Sequence, residues 1–193
     1  MGLDVLETAY EGGAMNVEVR ELRAEDVPRI AETYGGAAWH GGAKKWDQRL
    51  VEHAHGQRLV LLVVDGTDVL GYGSLLWVSG HAPFREAHIP EINDLVVSER
   101  ARNQGIATKL IHVLEERARA AQCPKIGVGV GLFKEYGAAQ RLYVHLGYVP
   151  DGKGMASGGL PVAAGDKVLV DDDLVLWLVK ELDVARDSSK HPG

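Results

Sequence analysis

A short apolar run, Leu95-Val96-Val97, leads through a glycine-bearing turn, Arg102-Asn103-Gln104-Gly105-Ile106-Ala107, into a long amphipathic helix. No other stretch restricts the fold as much. Past the turn, Ile106, Leu110, Val113, Leu114, Ala118 and Ala121 recur at helical spacing, with Lys109, His112, Glu115, Glu116, Arg119 and Gln122 on the opposite face. A strand therefore feeds a turn that becomes a helix N-terminus, where unpaired N–H groups and about half a positive charge collect. Such an end is a ready anion site, with phosphate its usual occupant. Gly105 has no side chain to block close approach, and Arg102 adds a fixed positive charge.

Arg102-x-x-Gly105-x-Ala107, between strand and helix, resembles the pyrophosphate-binding loop of the GNAT N-acetyltransferases. Downstream, Ala139-Gln140-Arg141-Leu142-Tyr143-Val144-His145-Leu146-Gly147-Tyr148 resembles that family's A-x-x-L-Y-x-x-x-G-[FY] segment. The two motifs stand in the family's order, and compatible strands extend the likeness to residues 16–182. The resemblance implies an α/β (α+β) fold with a mixed, mostly antiparallel central sheet flanked by helices on both faces, and acetyl-CoA as acyl donor. It assigns cofactor contacts to Leu95, Val96, Val97, Arg102, Asn103, Gln104, Gly105, Ile106, Ala107, Thr108, Ala139 and Leu142.

The chain's bounds agree. Its 193 residues suit one domain with a sizeable core, and 46% hydrophobic with 25% charged residues is an ordinary globular composition. No apolar run is long enough to span a bilayer, so no membrane partner is expected. Asp4, Glu7 and Glu11 argue against a secretory signal, and the lone Cys123 makes no internal disulfide. Both features point to a cytoplasmic protein. The net charge of −6 disfavours nucleic acid and mildly favours a cationic acceptor, although a solvated acidic surface accounts for it equally well.

In chain order, residues 1–14 read as a flexible extension, 15–185 as a single domain and 186–193 as a disordered tail. Asn16 to Leu22 alternates as a first strand; Arg23 to Tyr34 is a helix with Asp26 or a neighbour as cap; a second helix runs from Ala43 to His53. Trp39, His40 and Trp46 could line an acceptor pocket, or the tryptophans could cap the core. His40, His53 and His55 lack the ligand spacing of a metal set, and no metal is expected. Arg58 to Val64 and Val69 to Val78 form a hairpin about Asp65-Gly66; Ser79 to Pro90 is a polar loop; Glu91 to Val97 is a strand. Lys125 to Val130 is another strand, Tyr136 to Leu146 a helix closed by Gly147, and a broken strand follows Tyr148. Lys167 to Val170 and Leu174 to Val179 are expected to pair as a final hairpin. Gly127-Val128-Gly129-Val130-Gly131 is not a dinucleotide turn, because a third glycine is missing and the glycines sit inside the strand. They read as sites of close backbone approach.

Acetyl transfer to an amine requires a neutral amine, a stabilised oxyanion and a protonated sulfur leaving group. By resemblance Tyr143 is the acid, since a phenol with pKa near ~10 stays protonated at neutral pH. The alternative for Tyr143 is a core aromatic. Glu91 is the first choice of base and Asp94 the second, and strand alternation puts them on opposite faces. Some relatives carry an acidic pair where this chain has Asn93 and Asp94. By resemblance the oxyanion donors are backbone N–H groups of Leu95 to Val97. Tyr136 stands where many relatives have asparagine, and Lys134, Arg141 and His145 are either neighbours of the adenosine end or solvated helix residues.

The expected function is acetyl-CoA-dependent transfer of an acetyl group to a primary amine of a small molecule, direct and within a ternary complex. A protein or peptide amine as acceptor, or a non-catalytic acyl-CoA sensor, is the alternative. A homodimer is compatible with the sequence.

Overall fold

A computed structural model describes residues 17–34 and 42–184. The expectations for residues 1–14, for Trp39 and His40, and for the tail from 186 lie outside the described residues. The chain gathers into two compact units, the described parts of residues 1–77 with 92–114 and of 78–91 with 115–193. The fold is mixed α/β, with a large, mostly antiparallel sheet flanked by helices.

In the first unit the strands β1 (Val17–Glu21), β2 (Arg58–Asp65), β3 (Asp68–Leu76) and, from Ile92 onward, β4 (Glu91–Val97) lie in that order. The β1–β2 and β2–β3 pairs are antiparallel. Gly66, at φ +56, supplies the left-handed residue of the tight turn between β2 and β3, as the Asp-Gly pair predicts. Helices α1 (Val27–Tyr34) and α2 (Gly42–Ala54) lie between β1 and β2 in sequence. Asp26, in a short 3-10 turn before α1, accepts the Arg23 N–H at 2.8 Å and two Arg20 hydrogen bonds of 2.6 and 2.7 Å. Alternation along the strands then sorts the core. Val60, Leu62, Val64 and Tyr72 pack with Ile30, Tyr34 and Trp46 of α1 and α2. Trp46 is 1% exposed and edge-on to Tyr72 at 4.9 Å, so it is a core residue.

Gly71 and Gly73 of β3 face the other way. A Cβ on Gly71 would meet the Val96 carbonyl at 2.9 Å and Ile106 at 3.2 Å, and one on Gly73 would meet Leu95 at 3.0 Å. The absent side chains let α4 (Ile106–Ala120) and β4 close onto β3. Within α4, Ile106, Leu110, Leu114 and Ala118 are buried as their spacing predicts.

The second unit contains α3 (Ala82–Glu86), β5 (Lys125–Gly131), α5 (Gly137–His145), β6 (Val149–Ser157), β7 (Leu160–Pro161) and β8 (Leu174–Glu181), with strand order β5-β8-β6-β7. α3 occupies the segment expected as loop, and it opens with Pro83 in its first turn. The expected hairpin of 167–170 with 174–179 does not form. β8 is hydrogen-bonded to β5 on one side and β6 on the other, which leaves no edge for residues 167–170. Leu169 and Val170 are correspondingly exposed. β6 keeps running through Pro150 and slips register between Pro150 and Met155, where Gly152 and Gly154 adopt positive φ.

The β5 glycines are sites of close approach, as expected, and the visitors are aromatic rings. A Cβ at Gly127 would lie 2.0 Å from the Phe84 ring, at Gly129 3.0 Å from Trp177, and at Gly131 2.4 Å from Tyr136. Tyr136 is therefore a packing residue, its hydroxyl donating to Asp172 Oδ1 at 2.9 Å. Glu115, placed by periodicity on the solvated face of α4, is instead buried at 2% exposure.

Candidate active site

The turn before α4 is built for close approach. Asn103 and Gly105 adopt left-handed φ of +61 and +78, and nothing lies within 4 Å of the position a Gly105 Cβ would take. The Gln104 amide braces the turn by donating to the Arg100 carbonyl at 3.1 Å, and Arg100 pairs with Asp68 at 2.8 Å. Arg102, 3.8 Å from Glu99, keeps a largely exposed side chain. The first turn of α4, including Ile106, Ala107 and Thr108, has N–H groups without intrahelical acceptors. An open glycine, a positive helix end and an exposed arginine suit a diphosphate, so these residues fit the anionic part of acetyl-CoA.

Ahead of that turn, β4 is not a plain pleated strand. Asp94 has φ +53, the left-handed region, which costs a residue with a Cβ about 1–2 kcal/mol. Strict alternation fails here: Asn93 and Asp94 both reach Arg58, Asn93 Oδ1 at 3.0 Å and Asp94 Oδ2 at 3.7 Å. A parity argument placing Asp94 opposite Glu91 therefore does not carry across the kink. Asp94 is also paired with Arg49, and with Lys45 at 3.3 Å. Three cations around one carboxylate make it a counter-ion. Leu95 and Val97 pack beside the β3 glycines, and Val96 joins the core of the first unit.

In the second unit Glu91 is 5% exposed and accepts a 2.5 Å hydrogen bond from the Ser79 hydroxyl, which itself accepts the His81 N–H at 2.9 Å. His81 stacks on Trp177 at 4.2 Å, and its Nε2 lies 3.2 Å from Asp151. On α5, Ala139, Leu142 and Tyr143 are at least half-buried, as is Leu146 at its C-terminal cap, whereas Arg141, Val144 and His145 are exposed, so three- and four-residue spacing gives the helix one inward stripe. Gly147 closes the helix at φ +87, with the Tyr148 N–H donating to the Tyr143 carbonyl at 3.0 Å. Tyr143 is 5% exposed and lies edge-on to Tyr148 at 5.6 Å. Burial pushes its phenol pKa up, with the nearby Tyr136 adding to the shift, so the hydroxyl stays protonated at neutral pH. Lys134, Arg141 and His145 are exposed. Among the described residues no group of three or more His, Cys, Asp or Glu side chains could hold a metal ion, and no helix is long and apolar enough to cross a membrane.

The profile described as the acetyltransferase (GNAT) family matches residues 17–148. The chain belongs to the GNAT family. It is an acetyl-CoA-dependent acetyltransferase by that membership. No sequence among curated proteins matches it. Solved structures agree in fold. YncA from Salmonella typhimurium, determined with its cofactor acetyl-CoA, is 20% identical, covering 90% of this chain and 99% of that one, with a TM-score of 0.64. The ribosomal-protein-S18-alanine N-acetyltransferase from Escherichia coli is 14% identical over 89% and 97%, with a TM-score of 0.62. A chimera of the spermidine N-acetyltransferase SpeG from Vibrio cholerae and hSSAT is 16% identical over 86% and 95%, with a TM-score of 0.61.

Three polar partners in this GNAT chain escaped the sequence reading: Arg58, Ser74 and Ser79. The available signal was a charge at the head of the apolar strand Arg58-Leu59-Val60-Leu61 and a serine inside the otherwise apolar β3, buried at 0% exposure.

Proposed function

We propose that this GNAT enzyme transfers an acetyl group to the primary amine of a small molecule, directly, while donor and acceptor are bound together. The buried Glu91 carboxylate, fixed by Ser79, is the observation that carries this reading. Glu91 takes a proton from the acceptor ammonium, directly or through one water. Asp94 is engaged by Lys45, Arg49 and Arg58, so it ranks behind Glu91 as base. Tyr143 Oη gives its proton to the departing sulfur, whose thiol pKa is about 8.5. Acetyl-CoA, when bound, supplies the activated thioester. Arg102 and the turn through Thr108 hold its diphosphate, the Leu95–Val97 backbone orients its acyl arm, and Ala139 and Leu142 flank Tyr143 on the inward face of α5. The net charge of −6 supports a cationic acceptor.

The test is release of free thiol from acetyl-CoA across polyamines, amino acids, amino-bearing antibiotics and peptides with a free α-amine. Turnover with a small amine is expected. Turnover confined to peptides would move the acceptor to the protein class. Tight acetyl-CoA binding with no thiol release from any amine would make the chain an acyl-CoA sensor.

A further inference from the structure

We infer that Arg58, acting with Ser74, is a positioning residue that clamps the kink of β4 and so aims the backbone that follows it. Arg58 stands at the head of β2, 8% exposed, and its Nη1 donates to Ser74 Oγ at 2.7 Å and to Asn93 Oδ1 at 3.0 Å. The Ser74 hydroxyl donates in turn to the Asn93 carbonyl at 3.0 Å. On its other side Arg58 Nε donates to Glu52 Oε2 of α2 at 2.7 Å, which fixes the guanidinium plane. Asn93 is thus held by both side chain and backbone at the residue before left-handed Asp94, whose carboxylate lies 3.7 Å from the same guanidinium.

A carbonyl committed to a buried serine cannot slide to restore an even pleat. The kink is therefore fixed by charge-assisted hydrogen bonds shielded from water. A kink of this kind interrupts the ladder and re-aims the groups beyond it, here Leu95 to Val97. The inference rests on the proposal that this backbone orients the acyl group. Donors of that sort work only when held in place before the reaction.

Ser74→Ala removes one hydroxyl and Arg58→Lys keeps the charge while losing the planar fork, so both loosen the clamp. Both should lower kcat by about 10–100-fold, the range expected for a misplacement on the order of an ångström. Acetyl-CoA affinity by calorimetry should stay within about threefold, because the diphosphate turn is untouched. Glu52→Gln removes the charge but keeps an oxygen that accepts from Arg58 Nε, so the guanidinium plane is retained; it should lower Tm yet leave kcat within about twofold. Normal kcat in Ser74→Ala, or an equal loss in Glu52→Gln, would overturn the clamp. Should Arg58→Lys fail to fold, Ser74→Ala decides the matter. Amide hydrogen exchange at Leu95–Val97 reads the clamp without turnover, faster in Ser74→Ala and unchanged in Glu52→Gln. It therefore separates a failed clamp from a wild type that acetylates no acceptor in the panel.

Discussion

The Tyr148 hydroxyl donates a 3.0 Å hydrogen bond to the carboxylate of Glu115, an acid 2% exposed to solvent. Lys180 Nζ reaches the same oxygen at 2.7 Å, and Arg119 takes the other at 3.2 Å. A charge so far from water persists only while paired. Burial, then Glu115, pushes the Tyr148 phenol pKa up, so Tyr148 remains a donor throughout the neutral range. Lys180→Met should cost about 1–3 kcal/mol, because it removes one partner of a buried carboxylate that Arg119 and Tyr148 still hold. Tyr148→Phe should cost about 1–3 kcal/mol for one lost partner. Urea denaturation at neutral pH measures both, and losses below about 0.5 kcal/mol in each would mean that Glu115 is solvated after all.

Glu115 also marks the limit of what the sequence discloses. Its helix was legible, and so was the inward stripe of Ile106, Leu110, Leu114 and Ala118, because both are local and periodic. The partners that draw Glu115 inside are 33 and 65 residues away, beyond any spacing rule. The same holds for Arg58, whose Asn93 partner is 35 residues distant. Residues 167–170 failed for a related reason: their composition permits a strand, but β8 spends both edges on β5 and β6. The glycine turn and the Tyr143 motif were legible because each is a contiguous run whose backbone demands fall on particular residues, Gly105 and Gly147 among them.

Gly105 lends itself to a direct binding test. Its positive φ and the open space around it leave room for a ligand and none for conformational ease of a larger residue. Gly105→Glu places a carboxylate and a strained backbone at the positive end of α4. The folded variant should lose acetyl-CoA binding by a factor of at least about 100, through repulsion of the diphosphate and lost approach. Calorimetry showing wild-type affinity in that variant would remove the turn from the cofactor site.

Acid sensitivity follows from two buried-side pairs. Burial raises the Asp26 pKa, but the Arg20 guanidinium and the Arg23 N–H outweigh it and hold the group below its ordinary 3.8. Glu52 follows the same pattern: burial pulls up, Arg58 and Gln48 pull down harder, and the net lies below the ordinary 4.5. A carboxylate whose folded pKa is depressed stabilises fully above the unfolded value and loses that contribution as pH falls through the folded one. Tm should therefore hold above about pH 5 and decline steadily below about pH 4. Glu52→Gln, with one fewer group to protonate, should show a shallower decline. An identical acid slope in wild type and Glu52→Gln would exclude Glu52 from the linkage.

Tyr143 gives the sharpest mechanistic test. Its ring is buried on the inward stripe of α5 against Tyr148, so removing the ring would disturb packing, whereas Tyr143→Phe removes the hydroxyl alone. Burial raises the phenol pKa above its ordinary 10.0, and the raised direction favours the neutral, proton-bearing form. A proton donor should therefore remain competent across the neutral and mildly alkaline range, with no loss of kcat attributable to Tyr143 below about pH 10. If Tyr143 protonates the leaving sulfur, Tyr143→Phe should lower kcat by roughly 10²–10⁴-fold. Acetyl-CoA affinity should barely move, because a hydrogen bond strengthened at the transition state contributes little to ground-state binding. A purely structural tyrosine would instead leave turnover near normal and change only stability. Measuring kcat, acetyl-CoA affinity and Tm on the same preparation separates the two, and a kcat within about twofold of wild type would return Tyr143 to the core.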